Sequence, residues 1–247
     1  MITMHLNQGR AERIINKYLK EEGALHFTLI VPEENGEAVE VKKASKAARD
    51  AGTSAFIVRP KYGTSALVIE KTVKELKKHE LPVLLLPTNV EDICHGIDAV
   101  LFITLLNSRN VYWMVGAQAL GAPVLKQIGI ETIPAAYLVF EPGGIMSWMG
   151  DVKPLPQSDS RLAAIHALGA EYFGMRYVYL ETGLRRTEQV PTKIISAIVK
   201  MTGIGIMLEC INAPVKYIKS ASDAGAKLII TEPREDIKII ISAISNR

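Results

Sequence analysis

The chain of 247 residues has only two cysteines, Cys94 and Cys210. They stand in unrelated surroundings and lack the paired spacing of a metal site. The sequence therefore predicts reduced thiols in a cytoplasmic protein rather than a disulfide framework. An excess of one charge is also missing, because the net charge is only +3. Nothing in the overall charge points to a nucleic-acid partner, although a local anion site remains open.

Long apolar runs are absent as well. No stretch reaches the roughly 18 uninterrupted apolar residues of a transmembrane helix. The charged start of the chain, from Arg10 to Lys20, is unlike a signal peptide. We therefore expect at most transient contact with a membrane. A glycine-rich first crossover is also lacking, which disfavours a doubly wound dinucleotide-binding sheet.

What the sequence does contain is an alternation of apolar runs and helical segments. The continuous runs, typical of parallel strands covered on both faces, are Phe27–Val31, Ala55–Val58, Val83–Leu86, Val100–Leu106, Ala135–Phe140, Tyr177–Leu180, Ile204–Leu208 and Leu228–Thr231. The helical segments are Ala38–Ala51, Val68–His79, Trp113–Leu120, Ser160–Phe173, Thr192–Met201, Val215–Ala224 and Ile237–Asn246. This order predicts a (β/α)8 TIM barrel that forms one domain over residues 1–247, with a loop at residues 59–67 in place of one helix.

The carboxyl ends of the predicted strands carry most of the polar residues of interest, and in such barrels these ends form the active face. Glu181 ends the run Tyr177–Leu180, where it could accept a proton from a substrate hydroxyl, and Tyr179 lies on the same strand face. The alternative is a structural ion pair between Glu181 and a nearby arginine such as Arg59 or Arg185.

Other strand ends are cationic or apolar. Arg59, Lys61 and Arg109, together with backbone N–H groups of turns, could bind a phosphate or diphosphate, or could be ordinary solvated loop residues. Residues 130–156 are rich in glycine and proline around a strand, which predicts a long loop able to act as a lid. Trp148 in this loop could line an apolar substrate groove. The helix Trp113–Leu120 is apolar enough to be a dimer face.

Several of these segments together resemble the archaeal geranylgeranylglyceryl phosphate synthase family, which is related to heptaprenylglyceryl phosphate synthase. The segments are Asn107 to Trp113, Gly116 to Pro123, Glu141 to Gly144, Trp148 to Asp151 and Tyr179 to Gly183. The resemblance implies a barrel that is usually dimeric. It also implies Mg²⁺-dependent transfer of a prenyl group from geranylgeranyl diphosphate to the 3-hydroxyl of sn-glycerol 1-phosphate.

The resemblance also implies roles for single residues. Glu181 and Tyr179 match the pair that holds the glycerol moiety, with Glu181 as the base or orienting group, and Gly183 matches the glycine beside the phosphate. Trp148 matches the loop near the prenyl groove. We predict that the remaining substrate contacts come from the other strand ends, namely Thr182, Arg185, Asn212, Arg59, Lys61, Asn107 and Arg109.

The chain departs from the family at the positions expected to bind anions and metal. Val31 replaces the usual metal-binding aspartate, which leaves Glu33 as the candidate ligand for Mg²⁺. Glycines after strands two, six, seven and eight are replaced by Arg59-Pro60-Lys61, Leu184-Arg185, Glu209-Cys210-Ile211-Asn212 and Thr231-Glu232.

Three hypotheses follow from these departures. In the first, side-chain cations including Arg59, Lys61, Arg185 and Arg234 replace the lost backbone donors, and the chain is an active geranylgeranyl transferase. In the second, the chemistry is retained with another prenyl length, such as heptaprenyl. In the third, the chain is a catalytically impaired barrel that binds glycerol phosphate or a prenyl diphosphate.

Overall fold

Eight parallel strands close into a barrel in the computed structural model, which describes residues 8–32, 38–183 and 188–245. Each strand pairs with the next along the chain, and β1 pairs with β8 to complete the ring. The strands are β1 Leu25–Ile30, β2 Ala55–Val58, β3 Val83–Leu85, β4 Ala99–Leu105, β5 Glu131–Val139, β6 Tyr177–Glu181, β7 Gly205–Glu209 and β8 Leu228–Thr231. The (β/α)8 prediction is therefore confirmed.

The helices mostly connect consecutive strands and cover the outside of the barrel, except that the first, which precedes β1, packs against the amino-terminal end of the barrel. They are α1 Arg10–Glu22, α2 Ala38–Ala51, α3 Ala66–Leu76, α4 Ala117–Ile128, α5 Ile145–Met149, α6 Ser160–Tyr172, α7 Thr192–Met201, α8 Val215–Asp223 and α9 Ile237–Ile244. A π-helical turn, Tyr112–Gly116, leads directly into α4. None of the helices within the described ranges is both long and apolar enough to cross a bilayer.

The prediction that residues 59–67 replace a helix is wrong about the position. Pro60 and Gly63, which has a φ of 85°, keep the chain out of helical geometry only until α3 begins at Ala66. The crossover that lacks an α-helix is the next one, residues 86–98, all of which are described. It contains a 3₁₀ turn at Val90–Asp92, closed by the Asn89 side chain, which accepts a hydrogen bond from Val90 N at 2.8 Å.

The strands read as continuous apolar runs because both of their faces are buried. Side chains such as Phe27, Tyr137 and Met207 point into the barrel and form one hydrophobic cluster. The alternate side chains, such as Phe56 and Leu180, pack against the surrounding helices in two further clusters. This is the strand pattern expected of a parallel sheet covered on its two faces.

Helix α1 is joined to the amino-terminal ends of β5 and β6. The Glu131 carboxylate at the start of β5 accepts hydrogen bonds from Ala11 N at 2.7 Å and from Glu12 N at 3.0 Å. Arg176, which precedes β6, donates from Nε to the buried Glu12 carboxylate at 2.6 Å. These contacts stabilise the end of the barrel opposite the predicted active face.

Candidate active site

Two tyrosines from neighbouring strands form the base of the site. Parallel pairing brings Tyr137 of β5 level with Tyr179 of β6. Their rings stack with centroids 4.8 Å apart and planes 10° from parallel, and both side chains are buried. Burial raises the pKa of each phenol well above 10, so both hydroxyls stay neutral hydrogen-bond donors.

Glu181 ends β6 directly above this pair. It is partly buried, and the hydroxyl of Tyr137 donates a hydrogen bond to its Oε2. Burial, followed by the nearby Glu209 carboxylate, raises the pKa of Glu181 to about 7, while Arg59 and the Tyr137 hydrogen bond act in the opposite direction. A carboxyl with a pKa near 7 is suited to accept a proton from a bound alcohol at neutral pH.

Arg59 reaches from the end of β2 to the end of β7. Its Nη1 lies 2.5 Å from Oε2 of Glu209, and the two side chains are only 19% and 7% exposed. The hydroxyl of Tyr179 donates to the same oxygen at 2.5 Å. Although burial opposes the charge on Arg59, the Glu209 carboxylate raises the pKa of the guanidinium well above its usual value. Arg59 thus pairs with Glu209 and not with Glu181, the partner considered from the sequence.

A small polar pocket opens between the ends of β6 and β7. The space inside it and at its mouth is about 220 Å³, and its lining is Glu181, Thr182, Gly183, Gln189, Glu209 and Ile211. Gly183 has a φ of 86°, and a Cβ atom on it would lie 2.0 Å from the carbonyl oxygen of Gly143. Glycine is required there because the β6 loop passes against the loop that follows β5.

The loop after β5, which we call the β5 loop (residues 140–159), is held by residues at the end of β4. The Asn107 side-chain amide donates to the carbonyls of Val139 and Lys153, both at 2.9 Å. Arg109 lies 2.5 Å from the Asp151 carboxylate in an exposed ion pair. Asn107 and Arg109 thus contact this loop, and their predicted contact with substrate stays a prediction. Trp148, in α5, is 82% exposed.

An apolar cavity that opens to solvent lies between β4 and α4, and the space inside it and at its mouth is about 570 Å³. Its lining includes Leu101, Ile103, Trp113, Leu125 and Met146.

Within that cavity, Gln118 donates to the carbonyls of Ile103 at 2.6 Å and Trp113 at 3.2 Å. The hydroxyl of Tyr62 donates to the sulfur of Met146 at 3.3 Å, which joins the loop after β2 to α5. The cavity walls suit a hydrocarbon chain better than a polar ligand.

The other predicted ligands are spread around the rim. Lys61 and Asn212 are exposed, and Asn212 has a φ of 54°. Thr182 donates to the carbonyl of Glu188 at 2.7 Å. Val31 is partly buried and packs against the inward-facing cluster. Glu33 and Arg185 lie outside the described residues.

Arg234, the predicted cation after β8, is also held by groups of the chain. Its Nη2 lies 2.7 Å from the Asp236 carboxylate, and its Nη1 donates to the carbonyl of Ala213 at 2.8 Å. The Asp236 pKa is lowered, mainly by the hydrogen bond from Arg234. Arg234 thus ties the loop after β7 to the loop after β8.

The sequence reading missed Tyr137 and Glu209 as members of the site. Tyr137 lies inside the apolar run Ala135–Phe140, so its hydroxyl gave no signal until the register with β6 was known. In the sequence, Glu209 stands out only as a replacement for a glycine of the family. Its position two residues after the inward-facing Met207 was the signal that it also points into the barrel.

Comparisons with known proteins agree with this architecture. The profile of the PcrB family matches residues 16–220. The chain is 43% identical over 226 residues to the geranylgeranylglyceryl phosphate synthase of Methanosphaera stadtmanae, covering 89% of this chain and 90% of that protein. It is 37% identical to the synthase of Methanothrix thermoacetophila, covering 94% and 91%.

A solved structure extends the likeness to three dimensions. The (S)-3-O-geranylgeranylglyceryl phosphate synthase of Thermoplasma acidophilum, crystallised with its substrate sn-glycerol 1-phosphate, superposes with a TM-score of 0.85. The two chains are 27% identical, and the match covers 96% of this chain and 97% of the other.

Proposed function

This chain belongs to the PcrB family, and we propose that it is a prenyltransferase that joins geranylgeranyl diphosphate to sn-glycerol 1-phosphate. In this reaction the 3-hydroxyl oxygen of the acceptor bonds to C1 of the prenyl chain, the bond from C1 to the diphosphate breaks, and the hydroxyl proton is lost. The observation that carries the proposal is the Glu181 carboxyl, with its pKa near 7, beside the polar pocket at the end of β6.

Glu181 is the base in this proposal. It takes the proton from the acceptor hydroxyl as the new C–O bond forms. Tyr137 holds the carboxylate through its hydrogen bond. Tyr179, Thr182 and Gly183 are proposed to contact the glycerol moiety, since they adjoin Glu181 on β6 and in the loop that follows.

The rim contributes the remaining contacts of the proposal. We assign contacts with the phosphate groups to Arg59, Lys61, Arg185 and Asn212. We assign contacts with the prenyl donor to Asn107, Arg109 and Trp148. The apolar cavity between β4 and α4 suits the prenyl chain because its walls are largely hydrocarbon. The length of that chain stays open between geranylgeranyl and a longer donor such as heptaprenyl.

Magnesium enters the proposal as the counter-ion of the donor diphosphate. In such arrangements most of the ligands are phosphate and water oxygens. No cluster of three or more His, Cys, Asp or Glu suited to a metal occurs in the described part of the chain. Glu33, the predicted ligand, lies outside that part. The roles given to Glu181 and Tyr137 do not depend on the ion.

A prenyl-transfer assay tests the proposal. Purified protein with radiolabelled geranylgeranyl diphosphate, sn-glycerol 1-phosphate and Mg²⁺ should give a labelled ether product. Glu181→Gln should lower turnover by about tenfold or more, because the base is lost while the side-chain shape is kept. Glu141→Gln, an exposed glutamate just after β5, is the matched control and should retain parental turnover. Equal rates for the parent and Glu181→Gln would remove Glu181 from the mechanism.

One observation favours a second candidate, a barrel that binds these ligands without efficient turnover. Arg59 and Arg234 are each held by a carboxylate of the chain, which leaves less positive charge for a phosphate. Calorimetric titration with sn-glycerol 1-phosphate, with and without Mg²⁺, followed by the product assay separates the two candidates. Binding without product supports the second, and product formation excludes it.

We also propose a homodimer. An apolar surface on the π-helical turn and α4, which we call the α4 surface, is 38% to 69% exposed at Val111, Met114, Val115, Leu120 and Val124. Such contiguous patches are typical of protein interfaces.

Light scattering should give twice the monomer mass, and Leu120→Glu should reduce it to the monomer mass. Ile239→Glu, at an equally exposed residue of α9, should leave the dimer intact. A monomeric parent would contradict the proposal.

A further inference from the structure

The polar pocket is lined by one partner of an internal ion pair, the carboxylate of Glu209, where an anionic ligand would need a cation. Glu209 is the last residue of β7, and many barrels bind phosphate at the loops after β7 and β8. Its carboxylate lines the pocket and lies 2.5 Å from the Arg59 guanidinium. The positive charge of Arg59 is therefore already balanced by the chain.

The second cation on this side of the barrel is also engaged. Arg234, after β8, is bound by the Asp236 carboxylate and by the carbonyl of Ala213. Glu181 adds another carboxyl to the pocket lining. Both described arginines at the ends of β2 and β8 thus face carboxylates, and the pocket holds two acidic side chains.

We infer that Glu209 is a specificity-determining residue whose carboxylate neutralises Arg59 and so weakens the binding of the acceptor's phosphate group in this pocket. The inference rests on the proposed function, because it concerns the acceptor of that reaction. A phosphate that approaches Arg59 also approaches the Glu209 carboxylate. The attraction to one side chain is then offset by repulsion from the other.

Replacing Glu209 with glutamine isolates this effect. Glutamine keeps the length of the side chain, and its carbonyl oxygen can still accept the hydrogen bond from Tyr179. Arg59 then loses the carboxylate that contacts it and keeps only the weaker influence of Glu181, so an external anion can neutralise more of its charge. If the pair only makes the mouth of the barrel rigid, Glu209→Gln lowers stability and brings no gain in anion affinity.

The experiment is calorimetric titration of sn-glycerol 1-phosphate and of inorganic phosphate. The affinity of Glu209→Gln for both anions should exceed that of the parent by at least about tenfold. Asp223→Asn removes the same charge from an exposed ion pair on α8 and should bind as the parent does. Equal affinity of Glu209→Gln and the parent for both anions would overturn the inference.

A double variant keeps the test decisive if Glu209→Gln does not fold. Arg59→Gln with Glu209→Gln replaces the ion pair by two neutral amides and leaves neither charge unpaired. Because the two charges offset each other in the parent, the double variant should bind sn-glycerol 1-phosphate within about threefold of the parent. A loss of about tenfold or more would mean that Arg59 contributes net affinity in the parent, which contradicts the inference.

The outcomes for binding and for catalysis are separable. Tighter anion binding by Glu209→Gln without prenylated product from any variant supports the inference and contradicts the proposed function. Product from the parent with unchanged anion affinity in Glu209→Gln supports the proposed function and contradicts the inference.

Discussion

The charge of Glu181 is opposed by its surroundings. Burial and the Glu209 carboxylate both favour its neutral form, and they outweigh Arg59 and the hydrogen bond from Tyr137. A general base works best when its pKa is near the working pH, since a substantial fraction is then ionised and the carboxylate is still basic. The folded barrel creates this balance by bringing residues 59, 137, 181 and 209 to its mouth.

The pH dependence of turnover should report this carboxyl. Because Glu181 must be ionised to accept a proton, kcat/KM for the acceptor should rise with pH and level off above about pH 7. Glu209→Gln removes a negative charge that raises the pKa of Glu181, so the rise should move to lower pH. The acceptor phosphate itself titrates near pH 6, roughly. Because the phosphate titrates equally in both experiments, a difference between the pH profiles of parent and variant reports the protein. Identical profiles of kcat/KM against pH would contradict the assignment of the rise to Glu181.

At the scale of single residues, the sequence was enough to predict Glu181 but not its partners. The sequence alone shows that a carboxylate ends an apolar run. The residues that lie level with Glu181 inside the barrel depend on strand register. A strand that is apolar on both faces has no alternating pattern from which that register could be predicted. The structure starts β5 at Glu131, four residues before the predicted start, and pairs Tyr137 with Tyr179. Only that register brings the Tyr137 hydroxyl to Glu181.

At the scale of elements, the loops differ more from expectation than the strands do. Helices α2 and α7 begin and end where the sequence predicts, because apolar periodicity marks both of their ends. The crossover between β3 and β4 lacks an α-helix because Asn89 and Asp92 close a short turn through their side chains. Such closure depends on side-chain hydrogen bonds that periodicity does not reveal.

The β5 loop offers a test at the same scale. Asn107 is buried and joins the carbonyl of Val139 in β5 to the carbonyl of Lys153 in the loop, while Arg109 binds the loop through an exposed ion pair. Asn107→Ala should lower the free energy of unfolding by about 1–3 kcal/mol. The Lys153 carbonyl loses its hydrogen bond from Asn107, whereas the Val139 carbonyl keeps its hydrogen bond from Leu155 N at 2.9 Å. The substitution should also reduce turnover, because the loop then no longer packs firmly against Gly183.

Arg109→Ala serves as the comparison for Asn107→Ala. An exposed ion pair contributes about 0–1 kcal/mol, so this variant should unfold at nearly the parental urea concentration. Urea denaturation followed by circular dichroism measures both variants. Equal stability losses for the two would show that the buried amide does not brace the loop.

For the whole molecule, alternation of strands and helices was sufficient to predict a barrel, and the motifs between Asn107 and Gly183 were sufficient to predict its family. Charge balance at the mouth was not predictable in the same way. Each arginine that replaces a glycine looks like an anion ligand in the sequence. Only the closed ring brings Arg59 and Glu209, 150 positions apart, into contact. Whether residues 1–247 form a single domain stays a prediction.

The opposite end of the barrel gives the last prediction. Glu12 of α1 is 1% exposed and is bound by Arg176, and its second oxygen has no hydrogen-bond partner within the described residues. Arg176→Ala would leave a buried carboxylate unpaired, which typically costs about 3–5 kcal/mol. Adding Glu12→Gln removes the buried charge and should recover part of the loss. The pair therefore predicts a double variant more stable than the single Arg176→Ala, as measured by urea unfolding.

Arg161→Ala, which breaks an exposed pair with Asp159, is the control and should change stability little. If the double variant were no more stable than Arg176→Ala, an unpaired charge on Glu12 could not be the cause, and lost packing of α1 would explain the effect instead.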